Sequence, residues 1–128
     1  MLERIQLLRN IGQFDSVSVG RQIRLSRLTL IYAENGRGKT TLAAILRSLS
    51  SGDPVPIIER QRLATANPPH VVLASVDSNP IVFENGRWSQ SASDIAVFDD
   101  IFTAENVYSG LVVDNQQRQN LHELILVL

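Results

Sequence analysis

The stretch "IYAENGRGKTTL", residues 31–42, joins a predicted strand to a predicted helix. Residues 22–32 are apolar at alternate positions, which is the pattern of one or two strands. From Lys39 onward apolar residues recur at helical spacing until "SSGDP", residues 50–54, ends the helix. Lys39 is the only lysine among twelve basic residues. A compact ammonium group therefore lies at the junction of a strand, a glycine-containing turn and a helix.

This junction has the pattern of a phosphate-binding loop, or P-loop, which is G-x-x-x-x-G-K-[ST] between a strand and a helix. Ala33 takes the first position, and Gly38, Lys39 and Thr40 take the last three. Gly36 and Gly38 let successive amides turn toward one anion, and the helix N-terminus adds its positive dipole end. Lys39 is expected to reach the β- and γ-phosphates, and Thr40 to place its hydroxyl on Mg²⁺. The pattern predicts nucleotide binding; the alternative is a structural glycine turn with an incidental lysine.

Composition limits the class of protein. The length of 128 residues indicates one domain or part of one. The chain has no cysteine, which excludes thiolate metal sites, and its two histidines lie far apart in sequence. No apolar run reaches the ~18 residues of a membrane span, so we expect a cytoplasmic protein without a membrane partner. Residues 1–47 carry a formal charge of +5 and the remainder −6. A basic first third indicates an anionic partner such as polyphosphate or nucleic acid; the alternative is arginines on solvated strand faces.

The pattern on either side of the junction indicates further elements. Residues 2–8 alternate as a strand, and residues 10–20 are interpreted as a turn. Residues 51–69, with four prolines, are predicted to be a connection with one helical turn around "IIERQRL", residues 57–63. Residues 70–99 are predicted to form a β-meander around an Asn85-Gly86 turn, with "IAVFD" as its last strand.

Residues 100–128 are predicted to be a helical segment. Asp114 opens the last helix in a capping-box arrangement with Gln117. The apolar stripe of this helix would be Leu121, Leu124, Ile125 and Leu128. The predicted fold class is α/β, with strands flanking the helix that follows the P-loop and an antiparallel β-meander beside them.

Three sequence segments resemble ABC-type ATPase heads of the SMC-like group. "NIGQF", residues 10–14, and residues 31–42 are similar to the start of such heads, whose P-loop (Walker A motif) is G-x-N-G-x-G-K-[ST]-[ST]. "VFDDIFTAENVYSG", residues 97–110, looks like the segment after the meander in RloC- and PrrC-type AAA ATPases. The resemblance implies the N-terminal lobe of a P-loop NTPase with ATP and Mg²⁺ as cofactors. The residues predicted to bind the nucleotide are Asn35, Gly36, Arg37, Gly38, Lys39, Thr40 and Thr41.

Asp99 and Asp100 are the candidate catalytic residues, and Asp99 is with Thr40 a candidate Mg²⁺ ligand. In the heads that this chain resembles, the segment after the meander carries the Q-loop, whose polar side chain helps to coordinate Mg²⁺ and the attacking water. No glutamine stands here, so a first interpretation takes Asp99 and Asp100 as the equivalent of the Q-loop residue. A second interpretation takes "IAVFDD", residues 95–100, as Walker B, an apolar strand that ends in an acid. A third makes both acids a turn after a strand. All three interpretations stay open at the level of sequence.

The resemblance also implies parts that the sequence does not show. Such heads need a signature loop, a Walker B with a catalytic glutamate and a switch histidine, and none is seen after Tyr108. We therefore expect an N-terminal lobe whose hydrolysis requires a C-terminal lobe and a head-to-head dimer, and the apolar ending "LILVL" fits a chain that continues. The alternatives are a self-contained P-loop kinase or GTPase that uses Asp99 as its Walker B acid, and a nucleotide-binding assembly module without turnover.

Overall fold

The computed structural model describes residues 1–20, 23–34, 36, 38–63, 66–76, 79–99, 102 and 124–127. Its strands are β1 (Leu2–Ile11), β2 (Phe14–Ser18), β3 (Leu28–Leu30), β4 (His70–Ser75), β5 (Ile81–Glu84), β6 (Arg87–Trp88), β7 (Ile95–Phe98) and β8 (Leu124–Val127). The two helices are α1 (Lys39–Ser51) and α2 (Val55–Ile58). No helix in these ranges is both long and apolar enough to cross a membrane.

An antiparallel sheet of five strands has the order β2-β1-β4-β5-β6. Side chains of β4 and β5 alternate between a buried and an outer face, as in β5, where Ile81 and Phe83 are buried and Glu84 is exposed. The Asn85-Gly86 turn joins β5 to β6, both of its residues having positive φ. The predicted meander is therefore confirmed for β4 to β6.

A second sheet has three strands in the order β3-β8-β7, all parallel. β7 belongs to this sheet, so the prediction that residues 70–99 form one meander was wrong for its last strand. The physical reason is that β7 pairs with β8, which begins at Leu124, 26 residues after the end of β7 at Phe98. Such long-range pairing leaves no trace in a local pattern.

The helix predicted over the last residues was wrong where the structure describes them, because Leu124–Val127 is strand β8. Five consecutive apolar residues satisfy a helical stripe and a buried parallel strand equally well. Pairing with β3 on one side and β7 on the other decides for the strand. The proposed helix start at Asp114 lies outside the described residues.

Helix α1 packs its apolar side onto both sheets. Ile45, Leu46 and Leu49 are fully buried, together with Val71, Leu73 and Phe83 of the five-stranded sheet. Ile95 and Val97 of β7 belong to the same core. The helix ends as predicted, since Gly52 follows with φ of 78° and its N–H donates to the Ser48 carbonyl at 2.8 Å.

Two further predictions around the core were partly wrong. Residues 10–20 were interpreted as a turn, but Phe14–Ser18 pairs with β1 as strand β2. Of residues 22–32, only Leu28–Leu30 forms a strand among the described residues. The predicted helical turn after α1 is confirmed as α2, which begins two residues earlier than predicted.

Candidate functional site

The loop that carries the P-loop pattern connects the end of β3 to the start of α1. Gly36 and Gly38 have φ values of 83° and 91°, a backbone region that a side chain disfavours. Gly38 is the N-cap of α1, and its carbonyl accepts the first helical hydrogen bond from Leu42 N–H at 2.9 Å. Among the described residues no side chain caps this helix, and its first turn contains no acidic residue. The first amides of α1 therefore keep their capacity to bind an anion.

The first turn of α1 presents polar side chains that have no partner within the described ranges. Lys39 is half-buried, Thr40 is exposed, and neither makes a hydrogen bond or ion pair there. An ammonium group and a hydroxyl thus accompany the uncapped amides at one end of the helix. Of the other residues predicted to bind the nucleotide, Asn35 and Arg37 lie outside the described residues.

Thr41 differs from its neighbour Thr40. Thr41 is 7% exposed and faces the turn between β1 and β2. A β-carbon on Gly12 would overlap the Thr41 side chain, so these two residues are in close contact. The predicted contact of Thr41 with a nucleotide stays a prediction, and the structure adds a packing role.

The turn between β1 and β2 packs against the loop and the first turn of α1. Phe14 packs so closely on Gly38 that a β-carbon there would overlap its ring. Gln13 is exposed, and its amide Nε2 lies 4.0 Å from the position of a β-carbon built on Gly36. We call Gly12, Gln13 and Phe14 the supporting turn. Its three residues contact or approach three positions around the start of α1. The resemblance to ATPase heads implied only that Gln13 and Phe14 lie near the adenine, with core packing as the alternative for Phe14, and it did not predict these contacts.

The supporting turn is held on its other side by residues 60–62. Gly12 N–H donates to the Arg60 carbonyl at 2.7 Å, and Arg62 Nη1 donates to the Gly12 carbonyl at 3.3 Å. An isolated β-bridge pairs Ile11 with Gln61. The turn is thus fastened between the loop and the segment after α2.

Asp99 follows β7 and is bound by the side chain of Arg47. Arg47 Nη1 donates to Oδ2 at 2.8 Å, and Nη2 donates to Oδ1. Asp99 Oδ1 also accepts the backbone N–H of Phe102 at 3.1 Å. Arg47 stands two helical turns beyond Thr40 on α1, roughly 10 Å along its axis.

These contacts involve both carboxylate oxygens of the candidate catalytic residue and Mg²⁺ ligand Asp99. They fit the interpretation of a turn after a strand, with the carboxylate serving a local backbone amide. Asp100, the second candidate acid, lies outside the described residues. Within the described ranges, no three or more His, Cys, Asp or Glu side chains are grouped so that they could hold a metal ion.

Comparisons with protein-family models, with curated proteins and with solved structures find no match to this chain. The resemblance to ATPase heads therefore stays an expectation from sequence motifs.

Proposed function

We propose that this chain binds ATP with Mg²⁺ through residues 33–40. The observation that carries the proposal is the uncapped start of α1. There Gly36 and Gly38 have positive φ, and the polar side chains of Lys39 and Thr40 have no partner among the described residues. Successive amides, a helix dipole and a cation at one place favour a polyphosphate.

Each group has a distinct role in the proposed complex. The amides at Gly36 and Gly38 would donate to phosphate oxygens, and Lys39 would neutralise charge on the β- and γ-phosphates. Thr40 is exposed at the second position of α1 and would supply a hydroxyl ligand to Mg²⁺. Mg²⁺ keeps several waters in such sites, so one hydroxyl ligand together with phosphate oxygens suffices for binding.

We further propose that the chain acts as the N-terminal lobe of an ABC-type, SMC-like ATPase head. This proposal rests on the resemblance of residues 10–14, 31–42 and 97–110. Hydrolysis would then require a C-terminal lobe and a second head, because phosphoryl transfer depends on groups that orient water and cover the γ-phosphate. A cytoplasmic location and a nucleic-acid partner are parts of the same proposal, the latter from the basic first third of the chain.

A self-contained kinase or GTPase is the second candidate, with Asp99 as its Walker B acid. The contacts of Asp99 with Arg47 and Phe102 favour the first proposal over this one. A carboxylate held on both oxygens by a guanidinium would have to give up these bonds to serve Mg²⁺.

Calorimetric titration of Mg-ATP into the chain and into Lys39→Ala tests the proposal. Removing the ammonium should weaken binding between about 10-fold and 100-fold, since hydrogen bonds to charged groups contribute roughly 1.5 to 3 kcal/mol. Lys39→Arg should recover only part of the affinity, because the guanidinium fork has another shape.

Arg27→Ala is the matched control, since Arg27 is an exposed basic residue ahead of β3. Its affinity should equal that of the unchanged chain. The proposal is wrong if the unchanged chain does not bind Mg-ATP, or if Lys39→Ala binds it equally well.

A further inference from the structure

Gln13 is the residue of the supporting turn whose side chain has no described partner. Its neighbours are committed to packing: Gly12 lies against Thr41 and Phe14 against Gly38. The Gln13 side chain is exposed and makes no hydrogen bond with the described part of the chain. A polar amide is therefore presented beside the P-loop while the residues on both sides of it are held.

The position of this amide relative to the loop is specific. Gln13 Nε2 lies 4.0 Å from the place that a β-carbon on Gly36 would occupy, and apart from Gly36 and its chain neighbours no other described atom lies within 4 Å of that place. Gly36 is itself exposed. The amide thus borders the space next to Gly36, a residue of the loop that is proposed to bind phosphate.

The backbone that carries Gln13 is fixed from two directions. Residues 60–62 bind Gly12 through its N–H and its carbonyl, and Phe14 packs on Gly38. Because its backbone is already ordered, this donor loses only side-chain freedom when it binds. This placement distinguishes Gln13 from a glutamine on an open surface.

We propose that Gln13 is a nucleotide-binding residue that donates its side-chain N–H to a phosphate oxygen at the Gly36 side of the loop. The inference rests on the proposed function, because it requires that the loop binds a polyphosphate. A primary amide has two N–H donors, and a donor to an anionic oxygen forms a charge-assisted bond. The ligand class is a polyphosphate, and the contact does not depend on the base.

Titrations of Mg-ATP and of Mg-tripolyphosphate into Gln13→Leu and Gln13→Glu test this assignment. Gln13→Leu removes the donor but keeps a side chain of similar size, so it should weaken the binding of both ligands about tenfold. Gln13→Glu replaces the donor with a negative charge and should weaken the binding of both ligands more strongly, because a carboxylate repels phosphate. Unfolding by urea should show equal stability for the unchanged chain and both variants, since the side chain is exposed.

Gln6→Leu is the matched control, since Gln6 is an exposed glutamine of β1. It should bind both ligands as the unchanged chain does. Equal affinity of Gln13→Leu and the unchanged chain would overturn the assignment, and so would a loss confined to ATP, which would place Gln13 at the base or ribose. If the unchanged chain binds neither ligand, the proposed function itself fails; if Lys39→Ala loses affinity and Gln13→Leu does not, only the role of Gln13 fails.

Discussion

The polar side chains at the two ends of α1 differ in whether they make hydrogen bonds inside the molecule. At the C-terminal end, every polar side chain from residue 47 to 51 makes a hydrogen bond inside the molecule. The bonds run from Arg47 to Asp99, from Ser48 to Asp53, from Trp88 to Ser48, from Ser50 to Ile95 and from Ser51 to Arg47. At the N-terminal end, Lys39, Thr40 and Thr41 make none with the described residues.

The contrast separates stabilisation from binding within one helix. Polar groups that are satisfied internally hold the helix to β6 and β7; the Trp88 indole N–H, for example, donates to fully buried Ser48 at 2.9 Å. Polar groups without internal partners keep their bonding capacity for a ligand. We therefore expect changes at the C-terminal end to act on the free energy of unfolding, and changes at the side chains of Lys39 and Thr40 to act on affinity.

Gly38→Ala should have the largest effect, and it should act on stability although Gly38 lies at the N-terminal end of α1. Alanine would adopt a φ of 91° at the N-cap and its β-carbon would overlap the Phe14 ring. Backbone strain and overpacking together should lower the free energy of unfolding by about 3 kcal/mol, measured by urea denaturation.

Gly36→Ala is the matched control for this substitution. Its φ of 83° carries similar backbone strain, but a β-carbon there meets only Gln13 Nε2 at 4.0 Å. It should lose about 1 kcal/mol. Equal losses for the two variants would show that the contact between Phe14 and Gly38 contributes nothing.

Asp99→Asn should sharpen the comparison at the other end. The substitution removes the negative charge that pairs with Arg47, whose side chain is 27% exposed, while that of Asp99 is 16% exposed. We expect the free energy of unfolding to fall by roughly 1 to 2 kcal/mol, below the cost for a fully buried pair because water reaches both groups. Affinity for Mg-ATP should stay unchanged in calorimetry.

Glu84→Gln serves as the comparison for Asp99→Asn. The Glu84 side chain is 60% exposed, and its Oε1 lies 4.0 Å from Nδ1 of His70. Its loss should change stability by less than about 0.5 kcal/mol. A loss of Mg²⁺-dependent affinity in Asp99→Asn would favour the Walker B interpretation and the self-contained enzyme.

Thr40→Ala should have the smallest effect on stability and a selective effect on binding. The side chain is exposed and has no described partner, so the free energy of unfolding should change by less than about 0.5 kcal/mol. Affinity without Mg²⁺ should remain, and the increment that Mg²⁺ adds should fall, in titrations with and without the metal. Thr41→Ala should instead lower stability and leave that increment, because Thr41 is buried against Gly12.

Local patterns predicted the elements whose partners are near in sequence. The spacing of Leu42, Ile45, Leu46 and Leu49 predicted α1, and its end before Gly52 is confirmed. The Asn85-Gly86 turn predicted the hairpin of β5 and β6. In each case the deciding interaction lies within a few residues, as helix hydrogen bonds and tight turns do.

Elements whose partners are distant were predicted less well. One element with a near partner was also missed, because Phe14–Ser18 pairs with the adjacent strand β1 although its residues also suit a turn. The strand β8 was mistaken for a helix because its apolar run fits both periods. The contact of Asp99 with Arg47, 52 residues apart, left three interpretations of the acid open in the sequence.

The sequence alone determined the candidate loop: glycines at two positions, one lysine and a hydroxyl residue between a strand and a helix specify local backbone shape and local charge. Only the tertiary structure decided which residues around that loop pack against other elements. It placed Gly12 on Thr41 and Phe14 on Gly38, and it brought Gln13 beside Gly36. These contacts depend on how β1 and β2 pack against α1, and packing between elements is set by the fit of distant surfaces, which no local period encodes.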